Sequence, residues 1–301
     1  MQHRTQARVP RTGERIVRPR HRFIGLLHHV HGHTLSSREP RQHRLHLRPM
    51  NRSIWKRKLS AHSMPSWPCP SCAKGTLRLI PKSLVRNETL ESKRGHRHPD
   101  WDPDWLEYAF VAWGKCSHEN CGAEVAISGV GGIEPCYDAD GGTAWEDYFS
   151  PRFCYPMPSI IDVPRKCPDD VKGELKSSFS LFFMDANAAA NHVRVALERL
   201  MDHFGVQCRQ KDKTKKFVDL SLHRRIEIFA KKQTAVGAPL MALKWLGNAA
   251  SHGRAISQDD LLDAYEVLEH TLVELIDRRS ERVAELVKHI TKKHAPRKKR
   301  K

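Results

Sequence analysis

Pro239-Leu-Met-Ala-Leu-Lys-Trp-Leu-Gly-Asn-Ala-Ala-Ser-His252 is the stretch around which the rest of the chain is organised. Leu240, Leu243 and Leu246 recur every three residues, and Lys244, Asn248 and His252 every four. On a helix entered through Pro239 in its first turn, the leucines face a core and the polar side chains stack along a second face. Gly247 lies between the two sets. A glycine inside a helix costs about 1 kcal/mol against alanine, which points to a closely approaching backbone or a distorted turn.

Working outward, the spacing predicts helices on both sides. Asp169 and Asp170 cap one that runs to about Met184, with Val171, Leu175 and Phe179 on one face. A second, from about Asp185 to Phe204, carries Val193, Leu197, Leu200 and Met201 as its apolar stripe, with Arg194 and Glu198 one turn apart beside it. A basic loop, Lys211 to Lys216, leads to a third helix from about Asp219 to Lys232. The quoted stretch is the fourth. Ser257-Gln-Asp-Asp260 opens a fifth, whose three-four spacing continues to about Thr291. Five helices with short joins predict an all-α bundle over residues 169–291.

The chain before it has another character. Cys69-Pro-Ser-Cys72 is a C-x2-C knuckle and Cys116-Ser-His-Glu-Asn-Cys121 a C-x4-C pair, with short β-like runs at Thr76–Ile80, Tyr108–Trp113 and Glu124–Val130. Cys69, Cys72, Cys116 and Cys121 supply four soft ligands for a structural Zn²⁺ of the closed, tetrahedral kind, and His118 is positioned to replace one of them. Residues 64–133 are thus expected to form a small β-rich module of zinc-ribbon type. Six prolines in residues 134–168 predict an extended strap rather than a helix. The expected fold class is α+β: a β-rich metal module, a strap and a helical bundle.

The net charge of +18 is unevenly placed. Residues 1–58 carry 15 basic and 2 acidic residues, residues 292–301 carry 7 and none, and the remainder carries 30 and 32. The body is nearly neutral, so the basicity belongs to the two ends. Residues 1–63 are expected to be a disordered basic leader, with Met64 or Met50 as an alternative natural start, and 292–301 a solvated basic tail. No apolar run has the length of a membrane span and no secretory signal is visible, which predicts a cytoplasmic protein with reduced cysteines.

The order Trp67-x-Cys-Pro-x-Cys72, a second cysteine pair, a proline strap, Asn191-His-Val-Arg-Val-Ala-Leu-Glu198 and Leu246-Gly-Asn-Ala-Ala-Ser-His252 resembles the bacterial domain of unknown function numbered 4145. The resemblance spans about Trp67 to Ile276. It implies kinship with the HEPN helical superfamily, many of whose members are metal-independent dimeric ribonucleases with an Arg-x(4 to 6)-His motif, and association with restriction and other defence proteins. Under it, His252 matches the family histidine and Asn248 the polar residue ahead of it. Lys244 stands in place of the arginine, one residue too far from His252. Arg194, on a helix packed beside the fourth, would supply the missing guanidinium for the phosphate, and Glu198 would orient that guanidinium or the histidine. Such a site would let His252 accept a proton from a ribose 2′-hydroxyl. The same residues also fit a structural role, His252 as a helix cap and Asn248 as a packing residue.

The expected function is therefore a nucleic-acid-binding or partner-binding module of a defence system, contacting RNA or DNA through the β-rich module and the 211–216 loop. Its alternatives are a metal-independent endoribonuclease and a protein-binding accessory subunit. The terminal helix permits a homodimer, and no membrane partner is expected. Gly-rich phosphate loops, paired-carboxylate metal sites and Ser-His-Asp orderings do not stand out in the sequence.

Overall fold

A computed structural model describes residues 50–137 and 143–294. The basic leader up to residue 49 and the tail from 295 lie outside the described residues. The architecture is α+β, an antiparallel sheet followed by a helical region.

A short helix α1 (Ser53–Lys56) precedes the sheet. Strands β1 (Leu77–Leu79) and β2 (Val85–Glu88) both pair with β3 (Glu107–Cys116), which pairs with β4 (Glu124–Tyr137) and that with β5 (Thr143–Tyr155), all antiparallel. Helix α2 (Leu90–Gly95) and a single 3-10 turn, Pro103–Trp105, fill the β2–β3 connection. Alternation on β3 and β4 turns Phe110, Ala112, Val125 and Ile127 inward. Gly129 and Gly131 let β5 approach, since a Cβ at Gly129 would lie 2.2 Å from the Ser150 carbonyl oxygen.

The helical region comprises α3 (Asp169–Leu181), α4 (Ala186–His203), a hairpin of β6 (Arg209–Lys211) and β7 (Phe217–Asp219), α5 (Leu222–Ala230), α6 (Thr234–Ser251), α7 (Gln258–Leu272) and α8 (Arg279–His294). Asp185, Ser221 and Ser257 cap α4, α5 and α7 through their side-chain oxygens, which receive backbone N–H groups left over at helix starts. One apolar core runs from the sheet into the helices. No helix among the described residues is long and apolar enough to cross a membrane.

Four expectations need correction. Residues 50–63 are not a structureless leader: Trp55 and Leu59 are buried, Trp55 stacks on Trp67 with ring centroids 5.9 Å apart, and Leu59 exchanges backbone hydrogen bonds with Phe149. The proline strap is shorter than expected, because β4 continues to Tyr137 and β5 occupies residues 143–155, with Pro151 at a bulge on the last strand of the sheet order, a position where proline is tolerated. The fourth helix starts five residues before Pro239, which stands inside it rather than in its first turn. The long terminal helix is two: Arg278 takes a left-handed conformation (φ 51°) after a π turn at Val273–Asp277 and separates α7 from α8.

Candidate functional site

The four cysteines of the two knuckles converge. Their sulfurs all lie within 4.8 Å of one another, with Cys69 Sγ 3.7 Å from Cys121 Sγ and Cys72 Sγ 3.7 Å from Cys116 Sγ. These separations are far from the roughly 2 Å of a disulfide. They form a single donor set able to hold a metal ion.

Each knuckle is built by backbone hydrogen bonds. Cys69 and Gly75 close the first (N–H to O, 2.9 Å) and Cys116 and Ala123 the second, and the Ser117 amide donates to the Thr76 carbonyl to join them. The Ser71, Lys74 and His118 amides donate to the sulfurs of Cys69, Cys72 and Cys116 at 3.3–3.4 Å. Gly75 has to be glycine here, because a Cβ would lie 2.6 Å from Cys116 Sγ and 2.8 Å from the His118 amide nitrogen. The Gly75 and Lys74 amides pull the Cys72 thiol down to about 6. At Cys116 the His118 amide also favours the thiolate, but desolvation and the crowding of three further sulfurs prevail and push it up to about 12. Four sulfurs this close cannot all ionise without a cation to share their charge, so metal binding releases protons. His118 does not belong to the converging set: its Nδ1 is buried without a hydrogen-bond partner.

The second predicted constellation is only partly assembled. α4 packs on α6 at Gly247, where a Cβ would come 2.5 Å from Arg194 Cβ, so the glycine is there for close approach. Arg194 and Glu198 form an ion pair at 2.9 Å on the flank of this seam. Asn191 Oδ1 accepts from the Ser251 hydroxyl at 3.1 Å. Lys244 is 6% exposed and has no carboxylate among the described residues within 4.0 Å; its ammonium sits 3.5 Å from the centroid of the Trp245 ring. Asn248 is half-buried. His252 is exposed at the end of α6, its amide donating to the Asn248 carbonyl at 3.0 Å before Gly253 (φ 77°) turns the chain away. Lys244 and His252 are eight positions apart, about 12 Å along the axis. Arg194 and Glu198 therefore belong to the α4–α6 seam, Lys244 is buried on α6 about one turn before Gly247, and His252 lies apart from Lys244, at the mouth of the following loop.

The basic 211–216 segment is a formed hairpin tip. Asp212 organises it: its carboxylate accepts from the Thr214 amide (2.7 Å), the Thr214 hydroxyl (2.7 Å) and the Lys216 amide (3.0 Å), and Lys215 takes a left-handed conformation (φ 62°). The Thr214 hydroxyl, first among these, holds the Asp212 carboxyl below its ordinary range. The tip projects Lys211, Lys213, Lys215 and Lys216 into solvent beside the exposed Phe217.

The spacing rules do not single out the outward face of the sheet, where Trp113, Phe153 and Tyr155 are exposed. Its signal is present but masked: β3 is apolar on both faces, so Tyr108–Trp113 reads as a buried strand, and prolines hide β5.

No curated protein and no solved structure matches the chain. Residues 57–154 match a family described as Domain of unknown function (DUF8608), which covers the knuckles and the sheet. The helical region, from residue 176 to residue 298, matches the family described as Domain of unknown function (DUF4145).

Proposed function

We propose that this is a cytoplasmic nucleic-acid-binding protein, stabilised by Zn²⁺, that acts as a binding module rather than by turnover. The observation that carries the reading is the Asp212-organised hairpin, which holds four lysines at one exposed tip. Lysines fixed in this way neutralise neighbouring phosphates and release their counterions. Zinc is the ion proposed for the thiol cluster because a tetrahedron with Zn–S bonds of about 2.3 Å places its sulfurs about 3.8 Å apart, against the 3.7 Å of the two close pairs. Four thiolates fill the coordination sphere, which gives the ion a structural role. A place in restriction or phage defence, and a protein partner from such a system, follow from the family resemblance.

The test is fluorescence anisotropy of a labelled oligonucleotide against salt, with the Lys213→Glu/Lys215→Glu variant beside the parent chain. The expected outcome is weaker binding and a salt dependence shallower by about two. Unchanged binding in the variant would show that the hairpin lysines do not contact the nucleic acid. A second reading, a metal-independent endoribonuclease, draws on the packing of Arg194 against Gly247 beside Lys244. It requires RNA cleavage that is lost in a folded His252→Ala protein.

A further inference from the structure

The outer face of the sheet is set out in rows by the strand register. Trp113 on β3 and Tyr155 on β5 share one row across Ala126, and Val85, Val111 and Phe153 share the next across Ser128. Trp113 is 47% exposed, Phe153 43% and Tyr155 68%. Their backbones are fixed by the ladder, so these rings are held on a rigid platform with no described element covering them. Strands lie about 4.8 Å apart and residues two apart on a strand about 6.8 Å, so Trp113 and Tyr155 are about 10 Å apart across the sheet, with Phe153 about 7 Å from Tyr155 along β5.

The margin of the platform is basic. Arg78 and Lys115 form the row beyond Trp113, and Lys82 sits in the turn whose Ile80 amide and Ser83 hydroxyl bond to the Trp113 carbonyl. Arg152, the extra residue of the β5 bulge, is exposed next to Phe153. Lys115 shares its charge with Glu124 at 3.6 Å, whereas Arg78, Lys82 and Arg152 have no carboxylate within 4.0 Å among the described residues. The rings alone would suit a protein partner as well; what points to a polynucleotide is the charge complementarity of exposed cations without carboxylate partners on two sides of the rings. Rings flanked by such cations match unpaired bases joined by phosphates. Sheet-based RNA-binding modules stack bases on outward aromatics of this kind.

We infer that the sheet face carrying Trp113, Phe153 and Tyr155 is a stacking platform for a single-stranded polynucleotide, with Arg78, Lys82 and Arg152 engaging its phosphates. This rests on the nucleic-acid reading above and adds the substrate class: unpaired strands are preferred to duplex, because paired bases have no free faces to offer. It also assigns a second contact surface, distinct in residues and in physics from the lysine hairpin.

The experiment uses the full chain with labelled U20, dT20 and a 20-base-pair duplex, titrated at several salt concentrations. Trp113→Ala and Tyr155→Ala are each expected to weaken binding of the single strands about tenfold while leaving the salt slope unchanged, because stacking releases no counterions. Trp113→Phe and Tyr155→Phe, which keep a ring, are expected to retain most of the binding, and this separates lost stacking from a disturbed sheet. Single strands bound as tightly by both alanine variants as by the parent would overturn the platform and leave the nucleic-acid reading standing. No binding of any of the three probes by the parent would overturn both. Unchanged oligonucleotide binding with loss of self-association in the alanine variants would give the face to a protein contact and overturn the inference.

Discussion

Replacing Trp55 by alanine tests whether residues 50–63 belong to the fold. Trp55 is 2% exposed; it stacks on Trp67 at 5.9 Å, meets Phe182 edge-on at 6.2 Å, and precedes the segment whose Leu59 pairs with Phe149. A buried tryptophan removes about 150–250 Å² from water, worth about 4–6 kcal/mol as an upper bound at about 25 cal/mol per Å². Truncating such side chains costs about 3–5 kcal/mol, and a loss of about 4 kcal/mol is a large share of the stability of an ordinary domain. Urea unfolding followed by far-UV circular dichroism reads it. Leu286→Ala, on the exposed side of α8, is the control and should shift the curve by less than about 0.5 kcal/mol. Because Trp55 bridges Trp67 of the sheet module and Phe182 beyond α3, signals from the sheet and the helices should shift together. A loss below about 1 kcal/mol with an unchanged denaturant slope would refute the placement of this segment in the core.

Three further outcomes follow from the geometry. Gly247→Ala gains helix propensity of about 1 kcal/mol but sets a methyl 2.5 Å from Arg194 Cβ and 3.2 Å from the Ala190 carbonyl oxygen; overpacking of about 1–3 kcal/mol should leave a net loss, and a raised melting temperature would contradict the close packing of α4 on α6. In the α7 capping box the Ser257 hydroxyl, and after it the Ser257 amide, hold the Asp260 carboxyl below its ordinary range. Its contribution is therefore full above the unfolded-state value and lost as pH falls through the lower folded-state value, so Asp260→Asn and the parent should converge in stability under acid, while Ser257→Ala should cost about 1 kcal/mol at neutral pH. Cys72→Ser or Cys121→Ser should abolish stoichiometric metal, measured by elemental analysis of the purified protein, and lower the midpoint of sheet unfolding; full metal content in both would exclude the four-sulfur site.

Much of this architecture was legible where short-range rules govern. Asp185 and Ser257 announce their helices by capping, and the stripe of Val193, Leu197 and Leu200 gives the buried face of α4. The two knuckles bring four sulfurs together because a metal site is specified by local turns and residue type. What escaped depends on distant partners. Trp55 and Leu59 lie in a basic context, and their burial is decided by Trp67, Phe149 and Phe182. Pro151 and Pro156 argue against a strand at β5, yet Pro151 falls at a bulge. Arg278 breaks the terminal helix without a glycine or proline to mark it, and the apolar spacing of Val283, Leu286 and Ile290 continues on the exposed surface of α8. Of the polar residues in the quoted stretch, the fourfold spacing places all three on one helix line but does not tell that Lys244 is buried over Trp245 and His252 exposed two turns away.

Polynucleotide binding without turnover is read out by titrating the full chain into labelled U20 from 50 to 200 mM salt and resolving the recovered RNA on a denaturing gel. The expected result is saturable binding that weakens steeply with salt and RNA recovered at its original length. RNA that stays unbound at the lowest salt, or RNA cleaved by the parent and spared by His252→Ala, would contradict it.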